Sequence, residues 1–282
     1  MHLTKHHGLG NDFLVLLDLD GAQPVDPSVA VALCRRRTGI GADGLIRVTA
    51  AAGSGPAVVA MELIQSDGSL AEMSGNGIRA LAQAVVRAGV VNGPSFAVDT
   101  SAGLRTVELL ADEGESPAGR GQRTVVAVGM GPVRPGPGTP DAVTHDVVPK
   151  LAAVVDVGNP HLVLLVEGIE ALDVIDPAAL GPAYQSQFPA TGGINVEWIA
   201  SGRLPDTLDL IVFERGAGVT RACGTGACAA AWAAHRWGLV GSTVSVKMPG
   251  GAVTVRLDGP EATLVGPVDF VASIDVDPTE LA

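Results

Sequence analysis

A chain of 282 residues, 47% hydrophobic and 17% charged, is long enough to build two cores, because a single core stops growing beyond roughly 250 residues. A net charge of -12 with only 3% aromatic residues argues against a nucleic-acid or anionic-membrane partner, since no basic patch could neutralise many phosphates. No stretch approaches the roughly 18 apolar residues of a membrane span, and the opening MHLTKHHGLGNDF meets polar residues too early for a signal peptide, so a cytoplasmic protein is expected.

The elements follow in chain order. HGLGNDFLVL (7 to 16) reads as a turn leading into a strand, and VALCRRRTG as the end of a helix with Cys34 packed inside and Arg35, Arg36 and Arg37 solvated. VVAMELI and TVELLA are strand runs, separated by the segment SGNGIRALAQAVVRAG (74 to 89), which starts at a glycine-rich turn and ends at Gly89 as a helix should. ADEGESPAGRGQR (111 to 123) has linker composition, and RPGPGTP (134 to 140) reads as a surface loop. VVDVG, HLVLLV, LIVFE and AVTVRL continue the strand pattern around a second Ala-rich helix that ends at Gly238.

These elements repeat. Residues 74 to 89 align without gaps on CGTGACAAAWAAHRWG (223 to 238) with seven identities in sixteen positions, serine facing cysteine at the head. VDTSAGLRTVEL (98 to 109) matches VKMPGGAVTVRL (246 to 257), and HGLGNDFLVL matches VGNPHLVLLV (157 to 166). The expected fold is therefore α/β (α+β): two pseudo-symmetric lobes from an internal duplication, each a central helix wrapped by β-strands, with the active site in the cleft between them. The lobes are placed at 1–120 and 121–265, with the tail 266–282 returning to the first.

A helix N-terminus leaves backbone N–H groups unpaired and carries about half a positive charge, so glycines there let an anion approach. A cysteine at such a head is expected to lose its proton more readily than the usual value of about 8.5 allows. Cys223 holds that position and Ser74 is its counterpart. Two heads around one carboxylate, with groups flanking its α-carbon, form a racemase design that needs no cofactor if preorganised donors hold the developing enolate. The three cysteines fit a reduced compartment, and no metal and no cofactor is assigned, because no Cys or His pair has zinc-site spacing.

HGLGNDF, GADGL, DGS, EMSGNG, GNPH, GINVE and FERGAGVTRACGTGACAA, in this order, resemble the motifs of the diaminopimelate epimerase family over nearly the whole chain. The resemblance implies interconversion of LL- and meso-diaminopimelate in lysine and cell-wall synthesis, by a homodimer whose partner is a small amino-acid substrate. It also implies catalytic roles for Cys223, Ser74, His161 and Glu214. Substrate-binding positions by resemblance are Asn11, Gln65, Gly75, Asn76, Asn159, Asn195, Glu214, Arg215, Gly224 and Thr225.

Three positions depart from the family pattern: Ser74 stands for a cysteine, Ala80 for a second cysteine in the helix, and Gln65 for an asparagine before DGS. The first touches the mechanism. An alcohol ionises only far above a thiol, whose value lies near 8.5, a gap near 10 kcal/mol of which a helix dipole returns at most about 2. Three readings stay open at this point: an epimerase in which His161 acts through or past Ser74, a single-base lyase or isomerase of a related amino acid, and an inactive ligand-binding relative or engineered variant. Cys228, inside the second helix, reads as packing.

Overall fold

The computed structural model describes residues 1–52, 55–115, 122–137 and 149–277. Two compact units divide the chain, Met1–Gly129 with Gly266–Ala282 and Met130–Val265.

In the first unit, β1 (His2–Gly8) and β2 (Asn11–Leu17) form a hairpin whose two-residue loop, Leu9 and Gly10, takes φ of 58° and 85°. Positive φ at both loop positions matches the right-handed twist of paired strands, and it sets Asn11 at the first position of β2. After α1 (Pro27–Cys34), β3 (Gly44–Ala50) runs parallel to β2, and β4 (Ala57–Gln65) returns antiparallel. The short β5 (Leu70–Ala71) leads into α2 (Gly75–Arg87). β6 (Ser95–Asp99) lies parallel to β4, then β7 (Arg105–Glu115) and β8 (Gln122–Pro132) follow antiparallel.

The second unit runs through β9 (Arg134–Pro135), β10 (Leu151–Asp156), β11 (Pro160–Leu165), α3 (Ile169–Asp173), α4 (Pro177–Gln185) and β12 (Asn195–Ser201). It continues with β13 (Thr207–Glu214), β14 (Gly218–Val219), α5 (Gly224–Arg236), β15 (Thr243–Met248) and β16 (Gly251–Asp258). β17 (Glu261–Asp275) begins in this unit, where it pairs β16, and ends in the first, where it pairs β1; it also pairs β8. β10 and β11 are antiparallel, β11 and β12 parallel, β12 and β13 antiparallel, β13 and β15 parallel, and β15 and β16 antiparallel. That is the same succession of senses as β1, β2, β3, β4, β6 and β7.

Strands make up 45% of the structure and helices 20%, with eight strands closing into a barrel. The expected α/β class, with a central helix organising each lobe, is corrected accordingly: the framework is β. The reason is physical. β2 is buried at every position but its two ends and β12 at every position but its last, so neither shows the alternation that marks a half-exposed strand. The glycine-capped, Ala-rich helices give a much stronger local signal. α2 packs against β1, β2, β3 and β4, and α5 against β10 to β13, β15 and β16. Gly89 and Gly238 follow their helices with φ of 69° and 74°, ending both in the left-handed conformation that glycine tolerates.

Leu3, Leu14, Leu16, Leu33, Leu45 and Ile64 pack one cluster that fixes β1 to β4. Leu162, Leu164, Val196, Trp198 and Tyr184 pack another that fixes β11 and β12. Each such side chain contributes roughly 1.5–3 kcal/mol on burial. Of the stretch expected to be a linker, 116–121 lie outside the described residues, while 111–115 end β7 and 122–123 begin β8, with Gly114 opposite Arg123 and Glu115 opposite Gln122. Of the expected loop 134–140, residues 138–140 lie outside, and Arg134 and Pro135 pair with β10. The end of the tail, 278–282, is likewise outside. No helix among the described residues is long and apolar enough to cross a membrane.

Candidate functional site

The heads of α2 and α5 are built on the same plan, one in each unit. In the second, Cys223 is the N-cap of α5 in an extended conformation, and its sulfur accepts the Gly226 N–H at 3.3 Å. Thr225 Oγ1 lies 3.4 Å from the sulfur. Glu214, at the end of β13, accepts a hydrogen bond from the Thr220 hydroxyl and interacts with the Cys223 thiol. Burial pushes the Glu214 carboxyl above its ordinary value, and the hydrogen bonds from Thr220 and Cys223 only partly offset this.

The expected loss of a proton from Cys223 at the helix head is corrected by its surroundings. Burial raises the thiol well above its usual value, and the neighbouring Glu214 and Glu197 carboxylates push it further up. The bonds from Thr225 and Gly226 act in the other direction and are outweighed. A helix head supplies at most about 2 kcal/mol, less than a buried anion beside two carboxyls requires. In the resting site the proton therefore stays on sulfur, with Glu214 poised beside it.

His161, on β11, is fully buried: Nδ1 lies 2.7 Å from Glu197 Oε1 and Nε2 2.9 Å from Asn159 Oδ1. The parallel register sets Asn195 opposite His161, and Asn195 donates from Nδ2 to the Pro160 carbonyl at 3.0 Å. Its Oδ1 accepts the Arg215 backbone N–H at 2.9 Å, while the Arg215 guanidinium donates to the Thr191 carbonyl at 2.8 Å. Asn159, His161, Asn195, Glu214, Arg215, Cys223, Gly224 and Thr225 thus come together through β11, β12, β13 and the head of α5.

In the first unit, Ser74 caps α2 and its hydroxyl accepts the Gly77 N–H at 3.0 Å. Gly75 opens the helix. Asn76, buried, donates to Asn11 Oδ1 at 2.9 Å, and Asn11 in turn donates to Asp43 Oδ2 at 2.7 Å. Arg79 donates to Asn76 Oδ1 at 2.5 Å. Asp43 is tied to Arg36, whose guanidinium also grips both oxygens of Asp12 at 2.9 and 2.7 Å. Lys5 completes this cluster 2.9 Å from Asp12. Arg36 is therefore an organising cation rather than part of a solvated helix end, because α1 stops at Cys34 and the chain turns back toward β2 and β3. Gln65, at the end of β4, donates to Ser69 Oγ at 3.2 Å, and the next residue, Ser66, donates its N–H to the Asp43 carbonyl.

Sequence reasoning singled out GINVE but missed Glu197 within it. The available signal was a lone carboxylate in the run NVEWIA, every residue of which is buried. A charge in such a run is expensive unless paired, so a partner was implied. Cys34 is a packed residue: burial, then the charges of Asp12 and Asp43, push its thiol up to about 12. Cys228 is fully buried within α5. Among the described residues no group of three or more His, Cys, Asp or Glu side chains is placed to hold a metal ion.

Comparison with known proteins gives a consistent result. The family model described as diaminopimelate epimerase matches residues 3–134 and 153–271. Diaminopimelate epimerase of Corynebacterium glutamicum is 40% identical over 96% of this chain and 98% of its own. That of Mycolicibacterium smegmatis is 38% identical over 99% and 97%. In fold, the chain is similar to a hydroxyproline epimerase from Agrobacterium vitis (TM-score 0.72, 18% identity, 100% of this chain and 94% of that one). It is also similar to a probable proline racemase from Agrobacterium radiobacter (TM-score 0.74, 17% identity, 99% and 94%). With a family model matching both halves and relatives aligned from end to end, the chain belongs to the diaminopimelate epimerase family.

Proposed function

We propose that this chain interconverts LL- and meso-diaminopimelate without a cofactor, by carrying the α-proton between opposite faces of one carbon. The observation that carries the reading is Cys223: a buried thiol at a glycine-rich helix head, next to a carboxyl that can take its proton. Glu214 accepts the thiol proton, the thiolate removes the α-hydrogen, and N–H donors at the helix heads hold the electron density that moves onto the substrate carboxylate. Gly75, Asn76, Gly224 and Thr225 form the carboxylate clamp. Asn11, Gln65, Asn159, Asn195 and Arg215 bind the rest of the amino acid.

The other face falls to Ser74. By microscopic reversibility the reverse reaction begins at this weaker base, so turnover is set on the Ser74 side. The family resemblance supports a cytoplasmic homodimer as the working form, which sedimentation and cell fractionation would check. A second reading, proton exchange by the single base Cys223, is favoured by one observation: Gly226 abuts the Glu197 carboxylate, whereas Gly77, its counterpart, abuts the apolar Ile46.

The test is to supply each stereoisomer separately and resolve products by chiral separation. Formation of meso from LL, and of LL from meso, supports epimerisation. A keto or unsaturated product, or no product at high enzyme concentration, rejects it.

A further inference from the structure

The heads of α2 and α5 differ in one respect that their shared plan makes visible. In the repeat, GNPH aligns with GNDF, so His161 corresponds to Phe13. β11 and β12 set Val163 opposite Glu197, as β2 and β3 set Val15 opposite Ile46, so Glu197 corresponds to Ile46. A Cβ added at Gly226 would stand 2.6 Å from Glu197 Oε1, and one added at Gly77 would stand 3.3 Å from the Ile46 methyl. Each helix thus carries a glycine at its third position, where a strand side chain presses against the first turn, joined at Gly77 by the Ser74 side chain at 3.1 Å. Under α2 that side chain is a hydrocarbon; under α5 it is a carboxylate paired with a histidine.

Glu197 and His161 are both fully buried. Glu197 Oε1 is 2.7 Å from His161 Nδ1, while Oε2 is buried and accepts from no described residue. A carboxylate only accepts, so its position determines where the ring proton sits. At Nε2, Asn159 presents its amide, and a half-turn of that amide exchanges an acceptor for a donor, so the same contact serves a charged or a neutral ring. The charged groups that act on this ring are Glu197 from β12 and Glu214 from β13.

Resting on the epimerase reading, we propose that Glu197 is a positioning residue that holds a His161 ring proton on Nδ1, leaving Nε2 as the nitrogen that exchanges a proton with the reaction. Gly226 is glycine to admit that carboxylate beneath the helix head. The pair equips only one head for proton traffic, which is the chemistry that Ser74 lacks. Glu197 touches no reacting atom and acts through the ring.

Glu197→Gln keeps the shape and replaces one acceptor oxygen by a donor, allowing the ring to turn its proton to Nε2. The test joins kinetics to nitrogen NMR of histidine-labelled protein, with the His161 signals assigned by their loss in His161→Gln. The expected result is Nδ1–H in the wild type, a shift toward Nε2–H in Glu197→Gln, and a fall in kcat of about 10- to 100-fold with KM within about twofold. A fall in kcat with the tautomer unchanged makes Glu197 merely structural and overturns the proposal, as does a changed tautomer with kcat unaltered. If Glu197→Gln does not fold, the wild-type ring decides alone, since a proton on Nε2 with none on Nδ1 is incompatible with the assignment. Absence of any epimerisation by the wild type would remove the enzymatic reading, while the tautomer would still report what Glu197 does to the ring.

Discussion

The Ser74 hydroxyl accepts the Gly77 N–H at 3.0 Å, the place that the Cys223 sulfur takes on Gly226 at 3.3 Å. Serine is among the strongest N-caps, whereas sulfur is a weak acceptor. The first head is therefore better built as a helix cap than as a base.

Ser74→Cys should exchange the one for the other. Inversion is expected to rise by at least about 100-fold, and the fold to lose roughly 0.5–1 kcal/mol as the oxygen cap is lost. Chiral turnover assays and denaturant melts measure both. An unchanged inversion rate would place the second base elsewhere.

The two heads were legible in the sequence because caps are local: a Ser or Cys, two glycines and an Ala-rich helix fall within sixteen residues. The strand framework was not, since β2 and β12 bury both faces and give apolar runs without a period. Glu197 pairs with a residue 36 positions away, and its effect on Cys223 comes through space. The same is true of Arg36, whose role depends on the chain bringing Asp12 and Asp43 back to it. Burial, which reverses the expected ionisation of Cys223, is likewise a property of the folded chain alone.

Glu214 should give the pH profile its acidic limb. Burial raises this carboxyl, so it accepts the thiol proton only above a pH higher than the ordinary glutamate value of about 4.3. The Thr220 hydroxyl holds it down, and Thr220→Val should therefore move the limb of kcat/KM to higher pH. Glu214→Gln should remove the limb together with most of the activity. A limb that stays in place in Thr220→Val would assign it to another group.

Asp43 joins Asn11, proposed above to bind the substrate, to Arg36. Asp43→Ala leaves the Asn11 amide without its acceptor and the guanidinium with one carboxylate fewer. KM is expected to rise about 10-fold with a smaller change in kcat, since the loss falls on alignment. Steady-state kinetics in both directions checks it, and a KM equal to that of the wild type would detach Asn11 from binding.

His6 makes stability fall in mild acid. It is fully buried between Gln83 Oε1 at 2.7 Å and Thr4 Oγ1 at 2.9 Å. Burial lowers it from 6.5 to about 4, against the opposing hydrogen bond from Gln83 and with help from Arg87 and His7. The unfolded chain then binds the proton first, so stability is intact above about 6.5 and is lost as pH falls toward 4, by about 2 to 3 kcal/mol. Denaturant melts at pH 7 and 4.5 should show a larger acid loss in the wild type than in His6→Gln. Equal losses would mean that His6 is not the buried neutral group.

The most direct measurement of the central claim, that Cys223 moves the α-hydrogen, is deuterium uptake from deuterium oxide by each diaminopimelate stereoisomer, comparing the wild type with Cys223→Ala. The account predicts deuterium at the α-carbon, with inversion, in the wild type and none above background in the variant. Undiminished uptake by Cys223→Ala, or no uptake by the wild type at high enzyme concentration, would contradict it.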